Sequence, residues 1–107
     1  MSEFSLVYVT CSSDEEAMSI GEDMVERRYA ACVNILPGMT SLYEWNNQFC
    51  REQEHVLLLK TTTLKVPDMM VEIKRLHSAQ KPAIFALPMT EGDQDFFAWM
   101  RKQVLVN

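Results

Sequence analysis

The alternation of apolar and polar positions divides the chain into a regular series of segments. Residues 4–11 hold Leu6, Val7, Tyr8 and Val9 in succession, a short apolar and partly β-branched run that predicts a strand covered on both faces. Ser12 and Ser13 then stand three residues ahead of Glu15 and Glu16, so either serine can form a capping box, and Asp14 adds negative charge beside a helix N-terminus. In the helix that follows, Ala17, Ile20, Gly21 and Met24 recur at helical spacing, with Met18, Val25 and Tyr29 beside them and Glu15, Glu22, Glu26 and Arg27 on the wetter side. Gly21 costs about 1 kcal/mol against alanine inside a helix and so points to a close approach on a sheet.

From Ala31 the apolar period shortens. Cys32, Val33, Asn34, Ile35 and Leu36 lead to Pro37-Gly38, after which residues 40–45 resume the pattern, predicting one long strand with a bulge or bend. Asn46-Asn47 is a compact turn signal because asparagine tolerates positive φ, and residues 48–61 return as a second long arm ending in Val56, Leu57, Leu58 and Leu59. Thr62 or Thr63 can cap a second helix with Pro67 in its first turn. Its inner stripe is Val66, Met69, Met70, Ile73, Leu76 and His77, and it ends near Ser78. Residues 82–88 form a strand bracketed by Pro82 and Pro88. Asp93 can cap a last short helix bearing Phe96, Phe97, Trp99 and Met100, and Val104, Leu105 and Val106 make an apolar tail.

The order β-α-β-β-α-β is two copies of one split unit and predicts an α+β, ferredoxin-like sandwich with a long β2–β3 hairpin and a short C-terminal helix. With no linker or low-complexity stretch, residues 1–107 read as a single domain. The hairpin arms run to about 14 residues against about 5–6 for an ordinary strand, so part of the hairpin should project beyond the sheet. The aromatic C-terminal helix and the tail also carry more apolar surface than so small a domain covers easily. Both excesses point to subunit association, with packing inside the monomer as the alternative.

Composition narrows the function classes. Hydrophobic residues make up 48% of the 107-residue chain and charged residues 23%, a globular balance. The net charge of −5 and the scattered Lys and Arg argue against a nucleic-acid or anionic-membrane partner, whereas a negative field concentrates cations. Cys11, Cys32 and Cys50 are odd in number and widely spaced, which gives no disulfide framework and suits a reducing, cytoplasmic setting. The first residues lack a leader pattern, and no apolar run approaches the ~20 residues needed to span a bilayer. No Gly-rich phosphate loop, nucleophile elbow or His-Glu-x-x-His motif is present, and Glu15-Glu16 reads as a solvated helix start, so an enzyme is not expected.

Among metal ligands, His77 offers an imidazole suited to copper or zinc, set against the plain role of a hydrogen-bonded histidine at a helix end. Cys11, at the C-terminal end of the first strand, offers a soft thiolate, set against a plain buried thiol. The plain role is the simpler reading in each case. Cys32 reads as a small core residue, Cys50 and His55 as incidental, and the eight methionines as packing, since they fall on helical stripes without a repeated Met-x-x-Met. Tyr43 and Trp45 alternate on the hairpin and share one face, fit for an interface or a ligand cleft. Arg27 and Arg28 complement the dipole at the end of the first helix.

Residues 27–45, RRYAACVNILPGMTSLYEW, closely resemble the signature of the CutA divalent-ion tolerance proteins. The segments at 7–10, 56–61 and 86–88, with Gly92 and Trp99, fall where that family has equivalents, so the resemblance covers nearly the whole chain. It implies a homotrimer whose hairpin arms interlock around the threefold axis, on a plan resembling PII signalling proteins. It also implies a role in tolerance of copper or other divalent cations, with no cofactor required and His77 placed in a cleft between subunits. One stretch departs from the pattern. The family commonly reads His-Pro-Tyr-Glu and then Pro-Glu-Ile, whereas this chain has His77, Ser78, Ala79, Gln80, Lys81, Pro82, Ala83 and Ile84. An aromatic contact and two carboxylates are thereby lost, and Gln80 and Lys81 become the candidate cleft residues. That replacement also supports an alternative, a PII-like regulatory module that binds a small molecule or protein partner.

Overall fold

The computed structural model describes residues 2–105. The chain runs β1 (Phe4–Cys11), α1 (Asp14–Glu26), β2 (Cys32–Trp45), β3 (Gln48–Thr62), a 3-10 turn (Thr63–Lys65), α2 (Val66–Leu76), β4 (Ile84–Met89) and α3 (Gln94–Gln103). The four strands form one antiparallel sheet in the order β2-β3-β1-β4. Val106 of the expected apolar tail lies outside the described residues; Val104 is buried, and the Leu105 backbone N–H donates to the Arg28 carbonyl.

One face of the sheet carries α1 and α2. Val7, Val9 and Cys11 of β1 and Leu57 and Leu59 of β3 meet Ala17, Ile20 and Met24 of α1 and Met69 and Ile73 of α2 in a continuous buried cluster. Gly21 is the point of closest approach: a Cβ there would stand 3.0 Å from Val33 Cγ2 and 3.3 Å from Leu57 Cδ1, which accounts for a glycine in mid-helix. The Ser13 hydroxyl accepts the Glu16 N–H at 3.1 Å as N-cap of α1. At α2 the cap differs from the threonine expected. No side chain caps it, because Thr62 leads into the 3-10 turn and the Thr63 hydroxyl is engaged by Ser5 Oγ and the Ser2 carbonyl. α2 also stops at Leu76, two residues short of Ser78. Pro88 sits inside β4 opposite Ser5, tolerated because β4 is an edge strand.

A second cluster of Phe4, Ala31, Met100 and Val104 seats α3 against the end of the sheet. Asp93 caps α3 as expected, its carboxylate accepting the Phe96 N–H at 2.9 Å. Phe97 stacks on Phe4 with ring centroids 4.6 Å apart.

The hairpin arms, 14 and 15 residues long, meet at Asn46-Asn47, both with positive φ (52° and 63°), as a two-residue turn of the primed kind requires. The predicted bulge is present. Leu36 pairs with Val56 but Met39 pairs with Glu54, so Pro37 and Gly38 together oppose the single residue His55, with Gly38 at φ 75°. Before the bulge Cys32, Asn34 and Leu36 face away from the helices; after it the odd-numbered positions do. The bulge therefore puts Met39, Tyr43 and Trp45 on the same side as Tyr8, Leu58 and Phe85. The contact of the Tyr8 hydroxyl with Met39 Sδ at 3.5 Å agrees with this. That side bears no helix over most of its length, and it exposes Leu36, Phe85 and Leu87 besides Trp45, which is 57% exposed.

Candidate functional site

Two serines separate the end of β1 from the start of α1, and this short connection holds the first turn of α1 over the last residue of β1. α2 runs back across the sheet so that its C-cap, His77, arrives at the same place. One ligand atom each from Cys11, Glu16 and His77 consequently lies within 4.8 Å of the other two. Cys11 is fully buried, and the side chains of His77 and Glu16 are 4% and 12% exposed.

Both ring nitrogens of His77 and both carboxylate oxygens of Glu16 are already engaged. His77 Nε2 donates to the Thr10 carbonyl at 2.7 Å, and Nδ1 accepts the Ala79 N–H at 3.0 Å, an arrangement that specifies the neutral Nε2–H tautomer. Nε2 also stands 3.9 Å from Glu16 Oε1. Glu16 Oε1 accepts the Ser12 N–H at 3.1 Å, and Oε2 accepts the Ser78 N–H at 2.7 Å. Burial raises the Glu16 pKa, but the hydrogen bonds from Ser78 and Ser12 and the neighbouring His77 outweigh it and leave the carboxyl below its ordinary range. The Cys11 thiol is pushed up to about 12 by burial and by the negative fields of Glu16 and Glu54. Cys11 is thus a protonated thiol, not a standing nucleophile.

The structure brings Cys11 and His77 together and adds Glu16, which the sequence reading placed on a solvated helix start. The signal was available in the spacing: a capping-box glutamate folds back over the preceding residues, and here those residues end a strand. His55 is the cross-strand partner of Cys11, and its buried Nδ1 has no hydrogen-bond partner among the described residues; Asp14 Oδ1 stands 3.9 Å from it. The remaining candidates lie elsewhere. Tyr43 and Trp45 are on the outer half of the hairpin, with the Tyr43 hydroxyl donating to the Glu52 carboxylate. Gln80 and Lys81 are exposed in the connection between α2 and β4, and Trp99 stacks on Phe96 on α3 with centroids 5.9 Å apart. No hydrogen bond or ring contact among the described residues joins these groups to the cluster.

The donor set of thiol, imidazole and carboxylate suits a borderline or soft divalent cation. It fits such an ion in chemistry and spacing, although the thiol must lose its proton and Nε2 must give up Thr10 before either can ligate.

The fold and cluster define a small mixed α+β protein: the described residues form a four-stranded antiparallel sheet, three α-helices and one largely buried group of metal-type donors. Residues 5–103 match the CutA1 divalent ion tolerance protein family, and the chain belongs to that family. It is 43% identical over 97 residues to the divalent-cation tolerance protein CutA of Thermus thermophilus, covering 91% of this chain and 94% of that protein. It is 33% identical over 98 residues to human Protein CutA, of which it spans 55%. The solved Thermus thermophilus protein superposes with a TM-score of 0.91 at 42% identity, over 94% of this chain and 98% of that one. CutA1 from Oryza sativa superposes with 0.96 at 26% identity, over 99% and 97%. The periplasmic divalent cation tolerance protein CutA from Archaeoglobus fulgidus gives 0.92 at 32% identity, over 95% and 99%. No helix among the described residues is long and apolar enough to cross a membrane.

Proposed function

We propose that this chain is a non-catalytic, single-domain, ferredoxin-like subunit of a homotrimer that serves divalent-cation tolerance in the cytoplasm. In this reading it binds copper or another divalent cation through Cys11, Glu16 and His77. The observation that carries the cation reading is the convergence of a thiol, a carboxylate and an imidazole within 4.8 Å in a family named for divalent-ion tolerance. The free cysteines suit a reducing compartment. The trimer reading rests on the family and on apolar area: the helix-free side of the sheet and the hairpin expose Leu36, Trp45, Phe85 and Leu87, with Tyr43 beside them. Trp99, Gln80 and Lys81 are the further positions proposed to meet a neighbouring subunit.

Calorimetry with Cu(I), Cu(II) and Zn(II) on the wild type and on His77→Ala tests the site. Loss of one cation per subunit in the variant is expected; equal, weak binding by both proteins overturns it. Light scattering on an eluting peak tests the assembly, with three times the subunit mass expected.

A further inference from the structure

The hydrogen bonds that close the connection between α2 and β4 use the second polar atom of the same two side chains that would hold a cation, Nδ1 of His77 and Oε2 of Glu16. We infer that cation binding and closure of this connection exclude one another, and that the imidazole tautomer of His77 couples them, so that an ion entering the cluster frees the backbone at Ala79. The inference rests on the cation reading above and deepens it by assigning the site an output.

The argument follows from the ring. Nε2 faces Glu16 Oε1 at 3.9 Å and is the nitrogen turned to the cluster, but it now carries the proton donated to the Thr10 carbonyl. Ligation needs its lone pair, so that proton must leave, and a neutral imidazole then carries its proton on Nδ1. Nδ1 is at present the acceptor of the Ala79 N–H at 3.0 Å. Once protonated it becomes a donor facing a donor, and the bond to Ala79 cannot persist. Proton count is preserved in the ring: one proton leaves Nε2 and one is taken up at Nδ1 from solvent. The Cys11 thiol releases one proton to solvent as the metal–sulfur bond forms, and nothing is oxidised or reduced.

Glu16 limits how far the opening spreads. Its two oxygens have separate duties, Oε1 turned to His77 and Ser12 and Oε2 accepting the Ser78 N–H at 2.7 Å. A carboxylate ligating through Oε1 alone keeps its bond to Ser78. Release therefore begins at Ala79 and runs toward the exposed Gln80 and Lys81, while Ser78 stays anchored.

Amide hydrogen exchange and long-range nitrogen–proton correlation on the labelled full chain, with and without Zn(II), test this beside calorimetry on the same samples. The expected result has three parts: the Nε2–H tautomer without metal and Nδ1–H with it, exchange at Ala79 accelerated about tenfold or more, and exchange at Ser78 unchanged. The variant Ala79→Pro, which lacks the competing N–H, should bind Zn(II) about three- to tenfold more tightly, the worth of one neutral hydrogen bond. Stoichiometric binding with an unchanged Ala79 amide and tautomer overturns the coupling but leaves the site standing. Absence of binding to wild type and variant alike overturns both.

Discussion

Arg28 caps a helix to which it does not belong. Its Nε donates to the Gln103 carbonyl at 2.9 Å and its Nη2 to the Lys102 carbonyl at 2.6 Å, satisfying the last turn of α3 from the far end of α1. The dipole it complements is that of α3, whereas Arg27 pairs with Asp23 at 3.0 Å and Glu72 at 2.9 Å. Arg28 also has φ 63°, a conformation that costs a side-chain-bearing residue about 1 kcal/mol relative to glycine. Arg28→Ala and Arg28→Gly lose the same guanidinium, yet only glycine relieves the backbone. Denaturant unfolding at one fixed protein concentration should rank the glycine variant above the alanine variant by about 1 kcal/mol. The reverse order would show the strain to be absent.

The buried Thr61 hydroxyl donates to the Tyr29 carbonyl at 2.6 Å and ties the loop after α1 to β3. Thr61→Val keeps the shape and removes the donor. A loss of about 1–3 kcal/mol is expected because the carbonyl is left without that partner. Thr61→Ser, which restores the hydroxyl, should recover much of it.

Gly92 has no room for a side chain: an added Cβ would stand 2.8 Å and 2.9 Å from two ring carbons of Phe97, which is itself held by its stack on Phe4. Gly92→Ala should therefore cost about 1–3 kcal/mol, read as a lowered melting temperature. The double variant with Phe97→Leu should show a smaller penalty for the same alanine.

Cys11 gives the pH prediction. Its ordinary thiol pKa of 9.0 is raised to about 12 by burial, then by Glu16 and Glu54. A raised acid favours the folded state below its unfolded value and loses that contribution as pH climbs toward the folded one, so stability should decline between pH 9 and about 12. In Cys11→Ala that part of the decline should disappear. Native protein at pH 8 should resist iodoacetamide at Cys11 and yield to it in guanidinium, as followed by peptide mass.

The elements were legible wherever local patterning decides them. β1, the Gly21 helix, the bulge at Pro37-Gly38, the Asn46-Asn47 turn and the Asp93 cap all stand where period and turn chemistry put them, because each depends on residues a few positions apart. The start of α2 was misread because Thr63 had a distant partner: its hydroxyl is taken by Ser5, 58 positions away, and a sequence pattern carries no trace of that bond. For Glu16 the spacing offered only the local half, its return to Ser12; the other half is an N–H donated by Ser78, 62 positions away. His77 and Cys11 could be named singly, but their meeting depends on the crossing of α2 over β1.

The bulge at Pro37-Gly38 also sets a length rule for the hairpin. Pro37 and Gly38 share one place opposite His55, so β2 could lose Gly38 and keep every pair from Met39–Glu54 outward, with Tyr43 and Trp45 still on the helix-free side. Beyond the bulge no such spare residue exists, and the arms can lengthen or shorten only by matched pairs, one residue from each. A single residue added to one arm there either opens a second bulge or turns the aromatics out to the tip onto the opposite face.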